Sequence, residues 1–118
     1  IVVDSLTTLM FQFEASLERR KAILNLFKAL SETGASCIAT SEVRSRGPNR
    51  VFQTEEFLSH GVINLFSTPD GIRILRIEKM RGIDHDLLPR PYIIGKNGIE
   101  VYPKEKLSQS TLSSLNFL

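Results

Sequence analysis

The sequence predicts an α/β fold in which a parallel βαβ unit is followed by antiparallel hairpins. Two short apolar runs, at residues 1–3 and 35–40, flank a segment with the helical spacing of apolar residues at 14–33. A strand–helix–strand connection is nearly always right-handed and makes its two strands parallel. Further along, strand-like runs alternate with short turn sequences, which is typical of antiparallel hairpins.

The βαβ unit is predicted from three local patterns. The opening "IVV" is entirely β-branched, as in strands that are covered on both faces of a sheet. The helical segment places its apolar residues on one face, at Ile23, Leu26, Phe27 and Leu30. Charged residues are expected to cover its early exposed turns, at Glu18, Arg19, Arg20 and Lys21. Gly34 then ends the helix, as glycine commonly does at a helix C-terminus.

Two hairpins are predicted in the second half of the chain. The first is joined by "STPDG", whose Pro, Asp and Gly are ordinary turn residues. The second surrounds "GKNG", where Asn97 and Gly98 tolerate the positive φ of a tight turn. The four strands are expected at residues 61–66, 72–80, 91–94 and 99–102.

Composition limits the class of protein. The 118 residues suffice for one domain, or for half of a larger one, and 42% apolar with 24% charged residues is typical of a globular protein. The net charge of +2 gives no general attraction to nucleic acids or anionic membranes. We find neither a membrane span nor a leader, and so expect a cytoplasmic protein. Cys37 lies in an apolar run and is expected to be a small core residue.

Polar residues follow both strands of the βαβ unit. Asp4 ends the first strand, and Ser41 and Glu42 end the second. Parallel strands bring their carboxyl ends to one edge of the sheet, where ligands of open α/β sheets bind. Asp4 has the form of a Walker B carboxylate, which holds the water shell of a magnesium ion beside nucleotide phosphates; the alternative is that it caps the next turn. Ser41 and Glu42 lie where a γ-phosphate sensor is expected, or form an exposed loop.

A cationic segment, "EKMRGIDHD", follows in the first hairpin. Lys79 and Arg81 are predicted on one side of an extended strand, Gly82 permits a sharp turn, and His85 returns towards the same place. Two permanent cations and a potential third suit a polyphosphate. The alternative is a solvated strand face in which the cations pair with nearby carboxylates, and in which the histidine is an ordinary surface residue.

Four stretches, "IVVDSLT", "ATSEV", "EEFLSHGVINL" and "LRIEKMRGIDHDLLPRPYIIGKNGIEVYP", together resemble the carboxy-terminal half of a KaiC-like domain of the RecA superfamily of ATPases. The resemblance covers residues 1–103 and leaves 104–118 as a tail or short helix. It implies a partial RecA-like domain. It also implies assembly into rings, usually hexamers, in which ATP and Mg²⁺ are bound between neighbouring subunits.

The resemblance also implies roles for individual residues. Asp4 becomes the magnesium-side carboxylate, with Ser5 as its hydrogen-bonding neighbour. Ser41 takes the place of a γ-phosphate sensor, and Glu42 becomes the candidate catalytic residue. The remaining contacts are made in trans to the neighbouring subunit's nucleotide, by Lys79, Arg81 and His85.

Three departures from the family pattern bear on activity. Ile83 stands where many relatives have Thr, and Lys96 replaces a common Asp. The 118 residues contain no Gly-x-x-x-x-Gly-Lys-Ser/Thr phosphate-binding loop. We therefore expect this chain alone to be inactive in ATP hydrolysis. We also expect it to expose the apolar face of its first strand and to self-associate.

Two other functions remain open. Arg44, Arg46 and Arg50 lie in the loop "RSRGPNR", and RecA relatives direct the equivalent loop towards single-stranded DNA. Three arginines there suit a salt-sensitive, sequence-independent contact with phosphates. The alternative for this loop is a solvated or subunit-contacting role. The other possible function is a non-catalytic regulatory scaffold that acts only through protein contacts.

Overall fold

The structure, a computed structural model, describes residues 1–44 and 51–102. These residues form two compact units, one from residues 1–44 and 51–58 and the other from 59–102. The predicted tail and most of the arginine-rich loop lie outside the described residues.

The first unit contains two short strands and three helices. In chain order they are β1 (Val2–Val3), α1 (Leu6–Met10), α2 (Ser16–Glu32), β2 (Ile38–Ala39) and α3 (Thr54–Leu58). Strands β1 and β2 are parallel, with Val2 opposite Ile38 and Val3 opposite Ala39. The βαβ prediction is therefore confirmed, although both strands are shorter than the apolar runs that predicted them.

Helix α2 packs by the face that its sequence period predicts. Ile23 is 2% exposed and joins Leu6 and Met10 in the buried core of this unit. Leu26 and Phe27, one turn later, are half-buried against that core. One charged residue departs from the prediction: Arg19 is half-buried and donates hydrogen bonds to the backbone carbonyl oxygens of residues 13 and 14. Its long side chain bends back to satisfy the turn before the helix.

The second unit is a four-stranded antiparallel sheet in the order β3 (Gly61–Ser67), β4 (Arg73–Met80), β5 (Arg90–Gly95) and β6 (Gly98–Val101). Both predicted hairpins are confirmed. In the second turn only Gly98 has a positive φ, of 95°, and no described residue other than glycine has one. Of the two residues that tolerate a positive φ, Gly98 is the one that adopts it, and a single left-handed glycine is enough to close this turn.

The expectation that Cys37 is a core residue was also wrong. Cys37 is exposed and lies just before β2, where its Sγ atom is 3.5 Å from the carbonyl oxygen of Ala35. Strands β1 and β2 form a two-stranded sheet in the described part of the chain, so their apolar residues are not covered on both faces. Val2 is 74% exposed and Ile38 is 68% exposed. The predicted exposure of an apolar first strand is thereby confirmed.

None of the helices within residues 1–44 and 51–102 is long and apolar enough to cross a membrane.

Candidate functional site

The carboxylate of Asp4 is held where β1 ends. Its Oδ1 atom accepts a hydrogen bond of 2.6 Å from the Thr40 hydroxyl, which follows β2. The backbone N–H of Leu6 donates to the carbonyl oxygen of the same threonine, at 2.8 Å. The Asp4–Ser5 peptide is cis. Asp4 is nevertheless exposed, so its carboxylate is fixed at the sheet edge and open to solvent.

The residue that caps α1 is Ser5, not Asp4. The backbone N–H of Thr8 donates to Ser5 Oγ at 3.2 Å, and the two hydroxyl groups are 2.9 Å apart. Serine is a preferred N-cap because its oxygen satisfies an otherwise unpaired N–H in the first turn. The alternative interpretation of Asp4 as a cap is therefore wrong, and the hydroxyl of Ser5 is already engaged locally.

Ser41 and Glu42 are consecutive but have different surroundings. Ser41 is half-buried, and its hydroxyl donates a 2.7 Å hydrogen bond to Glu55 Oε1. The side chain of Glu42 is exposed, while its backbone N–H donates to Thr7 Oγ1 at 2.8 Å. The loop after β1 and the loop after β2 are therefore joined, and four of the predicted site residues lie in this part of the first unit: Asp4, Ser5, Ser41 and Glu42.

Glu55 is a buried acid that the sequence did not single out. It is 7% exposed and lies in the first turn of α3. Besides the Ser41 hydroxyl, Oε1 accepts a 2.6 Å hydrogen bond from Gln53 Nε2, and it lies 3.9 Å from Arg44 Nη2. In the sequence Glu55 is one of two adjacent glutamates, so no periodic signal separates the buried one from its neighbour.

The cationic segment lies in the second unit. Lys79 is half-buried in β4 opposite Val62, and Arg81 follows the strand, with its backbone N–H donating to the carbonyl oxygen of His60 at 2.8 Å. Gly82 has φ 82°, as the predicted sharp turn requires. His85 is half-buried, and its Nδ1 lies 3.1 Å from the carbonyl oxygen of Asp86.

An ion pair closes the loop that carries His85. Arg90 Nε donates to Asp86 Oδ2 at 2.6 Å, and the backbone N–H of Leu88 donates to Oδ1 of the same carboxylate at 3.0 Å. The hydrogen bond from Arg90, followed by that from Leu88, lowers the pKa of Asp86 below its ordinary value. The segment after Gly82 is thus tied to the start of β5.

The arginines proposed to bind nucleic acid are only partly described. Arg44 lies near Glu55 as given above, and its backbone N–H donates to Gln53 Oε1 at 2.8 Å. Arg46 and Arg50 lie outside the described residues. DNA binding therefore gains no support and stays a prediction from the sequence alone.

The described side chains fit a magnesium ion held mainly by phosphates and water. No cluster of three or more His, Cys, Asp or Glu side chains that suits a metal occurs within residues 1–44 and 51–102. Mg²⁺ beside nucleotides commonly has only one or two carboxylates and retains several waters. The exposed Asp4 carboxylate, oriented by Thr40, meets that requirement.

The fold and sequence resemble those of known proteins along most of the chain. A family model described as "ATPase: KaiC" matches residues 1–106. The circadian clock oscillator protein KaiC of Synechococcus elongatus is 32% identical over 107 residues, which are 87% of this chain and 21% of that protein. The circadian clock oscillator protein KaiC 1 of Synechocystis is 33% identical over 107 residues, again 87% of this chain and 21% of that protein. The chain therefore spans about a fifth of the length of these curated relatives.

A solved structure agrees with the sequence matches. The crystal structure of a KaiC-like protein from the hyperthermophilic archaeon Pyrococcus horikoshii superposes with a TM-score of 0.70 and 33% identity. The match covers 86% of this chain and 46% of the archaeal one. On the family match over residues 1–106, the chain belongs to the KaiC family of ATPases.

Proposed function

We propose that this chain supplies the Walker B side of an ATP site in a RecA-like ATPase. The observation that carries the proposal is the exposed Asp4 carboxylate, fixed by Thr40 at the carboxyl edge of a parallel strand pair. A strand that ends in an oriented carboxylate is suited to hold the water shell of Mg²⁺. Magnesium, when bound, supplies positive charge to the phosphate oxygens.

The residues after β2 complete this side of the proposed site. Ser41 is proposed to donate a hydrogen bond to the γ-phosphate, because its hydroxyl group lies at the same edge of the strand pair as Asp4. The exposed carboxylate of Glu42 is assigned to orient or deprotonate the attacking water. The backbone N–H of Glu42 donates a hydrogen bond to Thr7 Oγ1, and this fixes the position of the backbone that carries the side chain. Ser5 orients the loop beside Asp4 through its cap on α1.

Lys79, Arg81 and His85 are proposed to contact the nucleotide of a neighbouring subunit. The guanidinium of Arg81 suits bidentate contact with phosphate oxygens, and the ammonium of Lys79 adds a point charge. Both lie beside a turn fixed by Gly82 and by the Asp86–Arg90 ion pair. An arrangement in which one subunit completes the site of the next requires a ring or another oligomer.

The 118 residues are proposed not to hydrolyse ATP by themselves, because they contain no phosphate-binding loop. Hydrolysis would then require a complete KaiC-like domain that contains this chain. A non-catalytic scaffold gives a different expectation, because the complete domain would then not hydrolyse ATP at all.

Mixing two inactive variants of the complete domain tests the proposed division of labour. Asp4→Asn and Arg81→Ala are each expected to lower ATP hydrolysis about 10- to 100-fold, as loss of a metal-side or phosphate contact does. When subunits of both variants assemble together, about a quarter of the interfaces combine an intact Asp4 with an intact Arg81. Steady-state ATP hydrolysis should therefore recover on mixing.

The control is Asp70→Asn, which removes a carboxylate from the exposed turn between β3 and β4 and should leave hydrolysis unchanged. Failure to recover on mixing would show that Asp4 and Arg81 do not act across one interface. Full activity of both single variants would contradict the roles proposed for Asp4 and Arg81, and a complete wild-type domain without ATP hydrolysis would favour the scaffold.

A further inference from the structure

The hydroxyl of Ser41 is already committed to a buried acid. Its hydrogen is donated to Glu55 Oε1 at 2.7 Å. A serine hydroxyl has one hydrogen, and phosphate oxygens only accept hydrogen bonds. While the bond to Glu55 stands, Ser41 therefore cannot donate to a γ-phosphate.

The bond between Ser41 and Glu55 is of the strong kind. Glu55 is 7% exposed, so water competes little for its oxygen atoms, and hydrogen bonds to ionised acceptors are roughly twice as strong as neutral ones. The free-energy cost of breaking this bond is nevertheless limited, because Gln53 Nε2 also donates to the same Oε1 atom, at 2.6 Å. The buried carboxylate would not be left without a donor when Ser41 turns away.

Gln53 is placed to follow such a change. Its Nε2 atom is 3.5 Å from Ser41 Oγ, and its Oε1 atom accepts the backbone N–H of Arg44 at 2.8 Å. Its own backbone N–H donates to Glu56 Oε2 at 2.7 Å. One amide side chain thus joins Ser41, Glu55 and Arg44, while Glu56 holds its backbone.

We propose that Glu55 sets the discrimination between ATP and ADP by competing with the γ-phosphate for the hydroxyl hydrogen of Ser41. This inference rests on the proposed function, in which Ser41 senses the γ-phosphate. ADP lacks that phosphate and leaves the Ser41–Glu55 bond intact. ATP binding must break this bond, so part of the binding free energy from the γ-phosphate contact is lost. Glu55 is a positioning residue that acts through Ser41 and touches no nucleotide.

If Glu55 competes for Ser41, replacing Glu55 should change the preference for ATP over ADP in the opposite direction from the loss of a structural residue. Glu55→Gln keeps the shape of the side chain but replaces a charged acceptor by a weaker neutral one. Ser41 is then released more easily, and the preference for ATP over ADP should rise about 3- to 10-fold. A merely structural glutamate would, on replacement, weaken both nucleotides alike or lower the preference for ATP.

The experiment measures Kd values for ADP and for a non-hydrolysable ATP analogue, with Mg²⁺, on a complete KaiC-like domain that contains this chain. The readout is the ratio of the two Kd values in wild type, Glu55→Gln, Ser41→Ala and the double variant. We expect the ratio to favour ATP more in Glu55→Gln and less in Ser41→Ala. In the double variant the Glu55 substitution should have no further effect.

The matched control is Glu32→Gln, the same chemical change at the exposed last residue of α2. Its ratio should equal that of wild type. If Glu55→Gln lowers Tm strongly, Glu55→Asp serves instead, because its charge stays while its oxygen withdraws from Ser41. The ratio should again rise.

Two results would overturn the inference, and they are distinguishable. An unchanged or lowered ratio in both Glu55 variants, with Ser41→Ala impaired, removes the competition and leaves the proposed function standing. A wild-type ratio in Ser41→Ala shows that Ser41 does not sense the γ-phosphate, and this removes both the competition and the role of Ser41 in the proposed function.

Discussion

Asp4 and Ser5 illustrate how neighbouring polar residues divide their roles. Ser5 satisfies the first turn of α1, which leaves the Asp4 carboxylate exposed and oriented by its hydrogen bond from Thr40. From the sequence, capping and metal binding were both reasonable for Asp4, because a carboxylate after a strand can serve either role. The alternatives separate only when the hydrogen-bond partner of each oxygen is known.

The Asp86–Arg90 pair gives a prediction about pH. Since the folded-state pKa of Asp86 lies below its ordinary value of 3.8, its contribution to stability is present above that pH and is lost as the pH falls through the folded-state pKa. Arg90→Gln removes the largest cause and should move the Asp86 pKa back towards 3.8, as measured by NMR titration of the carboxyl carbon. The control is Arg73→Gln, which removes a cation from β4 instead. In this variant the pKa of Asp86 should stay below 3.8. An equal pKa in Arg90→Gln and wild type would contradict the assignment.

At the scale of elements, length decides what the sequence reveals. Helix α2 repeats its apolar face over several turns and was predicted within two residues at each end. Helices α1 and α3 have five residues each, too few for a helical period to be visible, and they were missed. They nevertheless position Ser5 and Glu55. Short helices that support a site are therefore found by their tertiary contacts.

The turn between β5 and β6 gives a prediction with an internal control. Gly95 and Gly98 lie opposite each other, and an added Cβ meets no atom within 4 Å at either position. Only Gly98 has a positive φ, of 95°. Gly98→Ala should therefore lower the free energy of unfolding by about 1 kcal/mol, while Gly95→Ala should change it by only a few tenths. Chemical denaturation measures both, and equal effects would contradict the role given to φ.

Across the whole molecule, large apolar side chains are exposed in both units. Besides Val2 and Ile38, the second unit exposes Ile94 to 58% and Ile99 to 55%. Large exposed apolar patches on folded proteins commonly mark surfaces that another chain or segment covers. The family resemblance implies assembly of subunits into rings, and exposed apolar surface of this kind is consistent with such assembly.

We therefore expect the 118-residue chain to self-associate. The paired strands β1 and β2 retain unpaired backbone edges among the described residues, and apolar side chains stand beside them. Light scattering over a concentration series should show a mass that rises above 13.3 kDa, and an apolar dye should bind. Ile38→Thr, which keeps a β-branched residue on β2, should weaken both signals. A monomer at every concentration without dye binding would refute this expectation.

Elements that repeat a local pattern could be predicted from the sequence. The apolar period of α2, the turn residues of both hairpins and the order strand, helix, strand are local, and the last implies parallel pairing through the handedness of the connection. The glycines at 82 and 98 were likewise found, because a positive φ restricts residue type. Cys37 was misplaced, because an apolar run shows what can be buried and not what covers it.

The contacts between polar groups of the proposed site could not be predicted from the sequence. Asp4 and Thr40 are 36 positions apart, Thr7 and Glu42 are 35 apart, and Ser41 and Glu55 are 14 apart. A polar residue that makes one long-range hydrogen bond has no period and leaves no mark on its neighbours in the sequence. Strand pairing and the short helices α1 and α3 bring these atoms within 3 Å, and the chemistry of the proposed site depends on those distances.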